Sequence, residues 1–239
     1  MNNDVKRIIL IGTIILLLLS LNVQAGAKAP SEYKYTTNRL LNKYLEKMTV
    51  RALKVNEVMC RHEGYGLELG DRITYEQAKN RCEWLIRYAV RYNYLYPDVS
   101  PETIILMAYG IVETETKFVN FKSLDEGKSF GYISMQWDTA QVVANLLGDY
   151  YNLDGKRHGT EPDEHNKYDR WTILSNKKKQ AQYAIYQIYR AIKARRGNLG
   201  KSAISYNVGI NASLSEFRWR NYYFMVKGRA DHISGEGLQ

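Results

Sequence analysis

The sequence predicts a mostly α-helical fold, and three observations carry the prediction. Apolar residues recur at three- and four-residue spacing in one stretch after another. Two of these stretches open on helix-capping residues, Thr74 and Ser100, and Ser100 is followed by Pro101 and Glu102. Period-two alternation is sustained nowhere, and no internal repeat is visible.

Residues 1–25 read as a separate unit. Lys6 and Arg7 precede an apolar run over residues 8–21, and the small residues of "VQA" lead to Gly26. That is the layout of a secretory signal peptide with cleavage after Ala25, and it implies export. An uncleaved membrane anchor is the alternative, although the run is short of the roughly 20 residues a full span needs. No cysteine follows the run, which argues against a lipid anchor.

The remainder has a globular composition. The chain of 239 residues is 45% hydrophobic and 25% charged, enough for one domain or one domain with an extension. It is neither collagenous nor compositionally disordered. Its formal net charge of +9 suits a polyanionic partner: a membrane surface, a nucleic acid or a wall rich in carboxylates. The basic runs "NKKKQ" and "KARRG" read first as solvated helix faces.

Cys60 and Cys82 are the two cysteines. In an oxidising compartment they are expected to pair, closing a loop worth roughly 3 kcal/mol. Two separate buried thiols are the alternative.

Along the chain, residues 26–35 lack apolar periodicity and read as a linker. Residues 36–58 place Leu40, Tyr44, Met48, Arg51 and Val55 near helical spacing, in one helix or two. "EGYGLELGDR" is turn-like. The next helix opens at Thr74 and runs Ala78, Cys82, Leu85, Ala89 and Tyr92 along one face. After the helix begun at Ser100, residues 120–135 are turn-rich and "DTAQVVANLLG" is helical. "YYNLDGKRHGTEPDEHNKYDR" reads as an exposed loop. A long helix then buries Ala184, Ile188, Ala191 and Ile192, and "LGKSAISYNVG" is a short helix ending at Gly209.

The stretch "GIVETETKF" sets two glutamates one residue apart. On a helix, Ile104, Ala108, Ile111 and Glu115 share one apolar face, while Glu113 lies about 180° away. A carboxyl held against apolar neighbours is desolvated and keeps its proton more readily, as a general acid must. Periodicity therefore favours Glu115 as the reactive group and turns Glu113 away from the cleft. A helix that ends early would leave both in water.

"AYGIVETETKF" resembles the A-I-x-x-x-E-S-x-F block of the lytic transglycosylases of the goose-lysozyme-like superfamily, the SLT group. Gly110, Ile111 and Val112 match its lead-in, Glu115 its catalytic glutamate, Thr116 its serine and Phe118 its aromatic residue. "SFGYISMQWDTA" is similar to a second block, S-x-x-G-L-M-Q-x-x-x-x-T-A, through Gly131, Tyr132, Ile133, Thr139 and Ala140. Ser134 stands where that family carries a glutamine lining the glycan cleft, and whether Gln136 replaces it is open. "SAISYNVG" resembles A-x-A-Y-N-A-G, with Tyr206, Asn207 and Gly209 in register. The preceding "AQYAIYQIYRAI" is similar to the family's I-x-x-G-x-x-Y-L helix, with its glycine replaced. "NYYFMV" places Tyr222 and Val226 like a closing Y-x-x-x-V.

The resemblance implies a lysozyme-like core over residues 83–232, after a helical extension at 36–82 of no known kinship and before a tail at 233–239. It implies a periplasmic enzyme that cleaves the β-1,4 bond between N-acetylmuramic acid and N-acetylglucosamine in peptidoglycan. Glu115 would protonate the bridging oxygen, then take the proton of the muramic C6 hydroxyl as it closes on C1, giving a 1,6-anhydro end. Tyr206 would orient Glu115, and Thr116, Gly131, Tyr132, Ser134, Gln136 and Asn207 would line the glycan site. No metal, cofactor or nucleic acid is implied, and the natural partners are glycan strands and a secretion, conjugation or pilus complex. "DEGKSFG" also resembles a turn of true muramidases, in which Asp125 would position water, although an aspartate there also serves to stabilise the turn. A non-catalytic glycan-binding scaffold is the other alternative. Tyr109, Tyr132 and Tyr206 are the first candidates for stacking on sugars among the 20 tyrosines, most of which suit a core.

Overall fold

The computed structural model describes residues 30–61, 72–124, 129–147 and 176–235. Residues 1–25, read as a signal peptide, Asp125, and residues 150–170, read as a loop, lie outside these. Among the described residues the chain is mostly helical, as the periodicity predicts. The helices are α1 (Pro30–Arg61), α2 (Tyr75–Arg91), α3 (Pro101–Glu115), α4 (Trp137–Leu146), α5 (Lys177–Ala194), α6 (Leu199–Val208) and α7 (Glu216–Ser234).

Local chemistry sets their starts. At α2, Thr74 Oγ1 accepts from the Gln77 amide at 3.2 Å while Gln77 Oε1 accepts from the Thr74 amide at 2.9 Å, a reciprocal capping box. At α3, Ser100 Oγ accepts from the Thr103 amide at 3.1 Å, with Pro101 in the first turn. Asn176 and Asn198 cap α5 and α6 in the same way.

Helix α3 is the axis of the fold. Every residue from Ile104 to Glu113 is buried, because α1, α2, α5 and α7 all pack against it. Gly110 permits the closest of these approaches. A Cβ there would stand 2.3 Å from the Val226 carbonyl oxygen of α7, so only glycine lets the two backbones touch.

Four expectations need correction. The stretch at 26–35 is not all linker: α1 is one helix that begins at Pro30, and its first two turns are largely exposed, so no apolar stripe marks them. The division at 82/83 falls inside α2, and Leu40, Tyr44, Met48 and Ala52 of α1 lie in the same core as α3 and α7. The turn-rich stretch carries three short strands, β1 (Phe121–Leu124), β2 (Ser129–Gly131) and β3 (Met135–Gln136), in an antiparallel sheet of order β1-β2-β3. Finally, no disulfide joins Cys60 to Cys82. Cys82 is fully buried beside Thr49, and Cys60 lies eleven residues farther along α1, about 16 Å at the helical rise, beyond any disulfide.

No helix among the described residues is long and apolar enough to cross a membrane.

Candidate active site

The three sequence blocks converge at the C-terminal end of α3. Thr116 closes the helix and donates its hydroxyl to the Tyr132 carbonyl, and also to the Val112 carbonyl at 3.2 Å. Lys117 and Phe118 follow with φ of 51° and 64°, left-handed conformations that are costly for a bulky residue. The surroundings hold them there. Arg81 of α2 donates to the Phe118 carbonyl, Asn56 of α1 donates to the Lys117 carbonyl at 3.4 Å, and the Phe118 ring packs between Tyr109 and Tyr132.

The turn at residues 131–134 is pinned against the helix end. Gly131 takes φ +78°, and a Cβ there would meet Gln180 Oε1 at 2.3 Å. Gln180, itself buried, accepts from the Tyr132 amide at 3.0 Å and donates to Asn120 Oδ1 at 3.1 Å. From α6, the Tyr206 hydroxyl donates to the Ile133 carbonyl at 2.8 Å.

Glu115, half-buried on the last turn of α3, is where three helices meet. Asn207 Nδ2 of α6 donates to its Oε1 at 2.8 Å, and the Tyr222 hydroxyl of α7 donates to the same oxygen at 2.6 Å. No hydrogen bond from the described residues is directed at Oε2. Burial, and then the Glu115 carboxylate beside it, raises the Tyr222 phenol well above its ordinary value, so it remains a donor. Lys117 is close by; burial, and then Arg229, lowers its ammonium below the usual range.

Glu113 is not turned to solvent. At 1% exposure it is among the most buried polar groups of the fold, gripped by Arg51 of α1 at 2.7 and 3.3 Å and by Arg229 of α7 at 3.6 Å. The burial expected from helix phase is reversed: Glu113 is sealed and Glu115 is half-buried, because α1 and α7 cover the side of α3 opposite the apolar face. Glu113 meets an ion pair on the face turned away from the cleft.

The other site residues divide. Asn207 reaches Glu115 as well as lying in the expected block. Tyr206 is near Glu115 but spends its hydroxyl on Ile133; the tyrosine bonded to Glu115 is Tyr222. Its place in the closing Y-x-x-x-V was the available signal, since Val226 one turn later rests on Gly110. Thr116, Gly131 and Tyr132 are buried and build the turn. Ser134, with φ of 49°, and Gln136, before α4, are half-buried at its rim. Tyr109, Tyr132 and Tyr206 are core residues at 0%, 0% and 5% exposure, so none offers a face for stacking. Arg51, Lys117 and Arg229 carried no signal as site residues.

Among the described residues, no cluster of His, Cys, Asp or Glu is arranged to hold a metal ion. Comparison of the chain with models of protein families, with curated proteins and with solved structures finds no match.

Proposed function

We propose that the protein is a peptidoglycan lytic transglycosylase acting through Glu115. The observation that carries this reading is the two-point grip on Glu115 Oε1 by Asn207 and Tyr222. Both donors mark Oε1 as the accepting oxygen, so in the acid form the proton resides on Oε2, the oxygen left for a substrate. Oε2 then delivers it to the glycosidic oxygen between N-acetylmuramic acid and N-acetylglucosamine. The carboxylate so formed is stabilised by the same two bonds and removes the C6 hydroxyl proton as that oxygen closes on C1.

Glycosidases that use water employ a second carboxylate. Glu113, the nearest in sequence, is occupied by Arg51 and Arg229 and is sealed from solvent. The tethered C6 hydroxyl needs no activated water, and its attack costs less entropy than that of a free nucleophile. Export by the leader and the basic charge fit a periplasmic enzyme that opens the wall for an envelope-spanning secretion, conjugation or pilus assembly. Digestion of purified sacculi with mass spectrometry of the released muropeptides tests the reading. Anhydromuramic ends support it; reducing ends indicate a muramidase, and no release indicates a binding scaffold.

A further inference from the structure

We infer that Glu113 is a positioning residue: through it, Arg51 and Arg229 set the turn that presents Glu115 to Tyr222, and α1 is the strut that supports it. The inference rests on Glu115 being the reactive acid.

Helix α1 is tied to α3 near both ends of α3. Near the start of α3, Lys43 Nζ lies 2.7 Å from Glu102 Oε1, and the Tyr44 hydroxyl donates to the same oxygen. Near the end, Arg51 meets Glu113 through Nη2 at 2.7 Å and Nε at 3.3 Å, and Asn56 reaches the Lys117 carbonyl at 3.4 Å. Arg51 and Asn56 therefore hold the chain on both sides of Glu115. A two-pronged guanidinium contact fixes orientation as well as distance. Rotation of the last turn of α3, which would swing Glu115 off its donors, would break both.

The second arm comes from α7. Arg229 Nη1 stands 3.6 Å from Glu113 Oε1, and Arg229 lies seven residues, about two turns, beyond Tyr222 on the same side of that helix. One buried carboxylate thus joins the helix carrying the acid, the helix carrying its hydroxyl donor and the strut. A buried ion pair is a poor source of net stability, because desolvation offsets its attraction, but it is exacting about geometry.

The test separates positioning from stability. In the double variant Arg51→Met with Glu113→Leu, an apolar pair of similar size replaces the two more buried ions and leaves the part-exposed Arg229 to solvent, so the fold should stand. Its thermal midpoint should stay near that of the wild type. On sacculi its kcat should fall by about tenfold to a hundredfold, with KM changed less than about twofold. Arg51→Lys, which keeps one charged contact, should recover part of the rate. The readout independent of activity is carboxyl-carbon NMR of glutamate-labelled protein. The Glu115 signal, assigned by its loss in Glu115→Gln, should move in the double variant. An unmoved Glu115 signal, or a folded double variant with wild-type kcat, overturns the inference. Wild-type protein that leaves sacculi intact would count against the proposed reaction alone, since the NMR arm still decides whether Glu113 positions Glu115.

Discussion

The Tyr222 hydroxyl donates to Glu115 Oε1 at 2.6 Å, from a helix that begins 101 residues later in the chain. The Val226–Gly110 contact sets that distance, because it lets α7 lie directly on α3 one turn beyond Tyr222. The bond holds the carboxyl with one oxygen occupied and the other directed elsewhere, as a proton donor requires. Several outcomes depend on it.

Glu115→Gln should lower muropeptide release by at least about 100-fold, since it removes the proton carrier. The amide oxygen can still accept from Asn207 and Tyr222, so the fold should be kept. Turnover on sacculi and circular dichroism of the same sample check both halves.

Tyr222→Phe and Tyr206→Phe should differ in kind. The first removes a bond to a charged group, worth about 1.5–3 kcal/mol, and should appear as a drop of about tenfold or more in kcat. The second frees the Ile133 carbonyl and should appear mainly as a loss of about 1 kcal/mol in stability. If Tyr206→Phe is the variant that loses turnover with stability intact, these roles are reversed.

Gly110→Ala tests the close approach of α3 and α7. The added methyl meets backbone that has no rotamer to yield, so destabilisation of about 1–3 kcal/mol is expected, together with loss of activity. Chemical denaturation with wild-type stability would mean the helices separate freely.

Stability should be flat through neutral pH and fall above about pH 10. Burial, and then the Glu115 carboxylate, raises Tyr206 and Tyr222 well above their ordinary value of 10.0. The unfolded chain therefore loses these protons first. The stabilisation is complete below the unfolded value and is lost as pH climbs toward the folded one. Urea unfolding from neutral to about pH 11 checks this; a decline that tyrosine ionisation does not accompany would contradict it.

Much of the helical framework is legible in the sequence because its signals are local. Thr74 and Ser100 cap what they appear to cap, and the spacing of Leu40, Tyr44 and Met48 marks the buried stripe of α1. The β-sheet escapes because strands of two to four residues are too short to show alternation. The start of α1 escapes because exposed turns need no apolar stripe. At the site, helix phase sets Glu115 and Glu113 on different sides of α3, but the burial of Glu113 does not follow from it. Its partners Arg51 and Arg229 lie 62 and 116 residues away, and nothing local announces an ion pair. The sequence reading gives the orienting role to Tyr206, whereas the hydroxyl bonded to Glu115 is that of Tyr222. Only the packing of α7 on Gly110 assigns the bond to Tyr222.

In the proposed reaction one carboxylate, Glu115, cleaves the glycan without water. Digestion of sacculi in heavy-oxygen water, with mass spectrometry of the new muramic ends, tests it most directly. If the C6 hydroxyl is the nucleophile, the ends are 1,6-anhydro and carry no label. Labelled reducing ends, lost in an Asp125→Asn variant, would show that water attacks with a second carboxylate's help and would contradict the account.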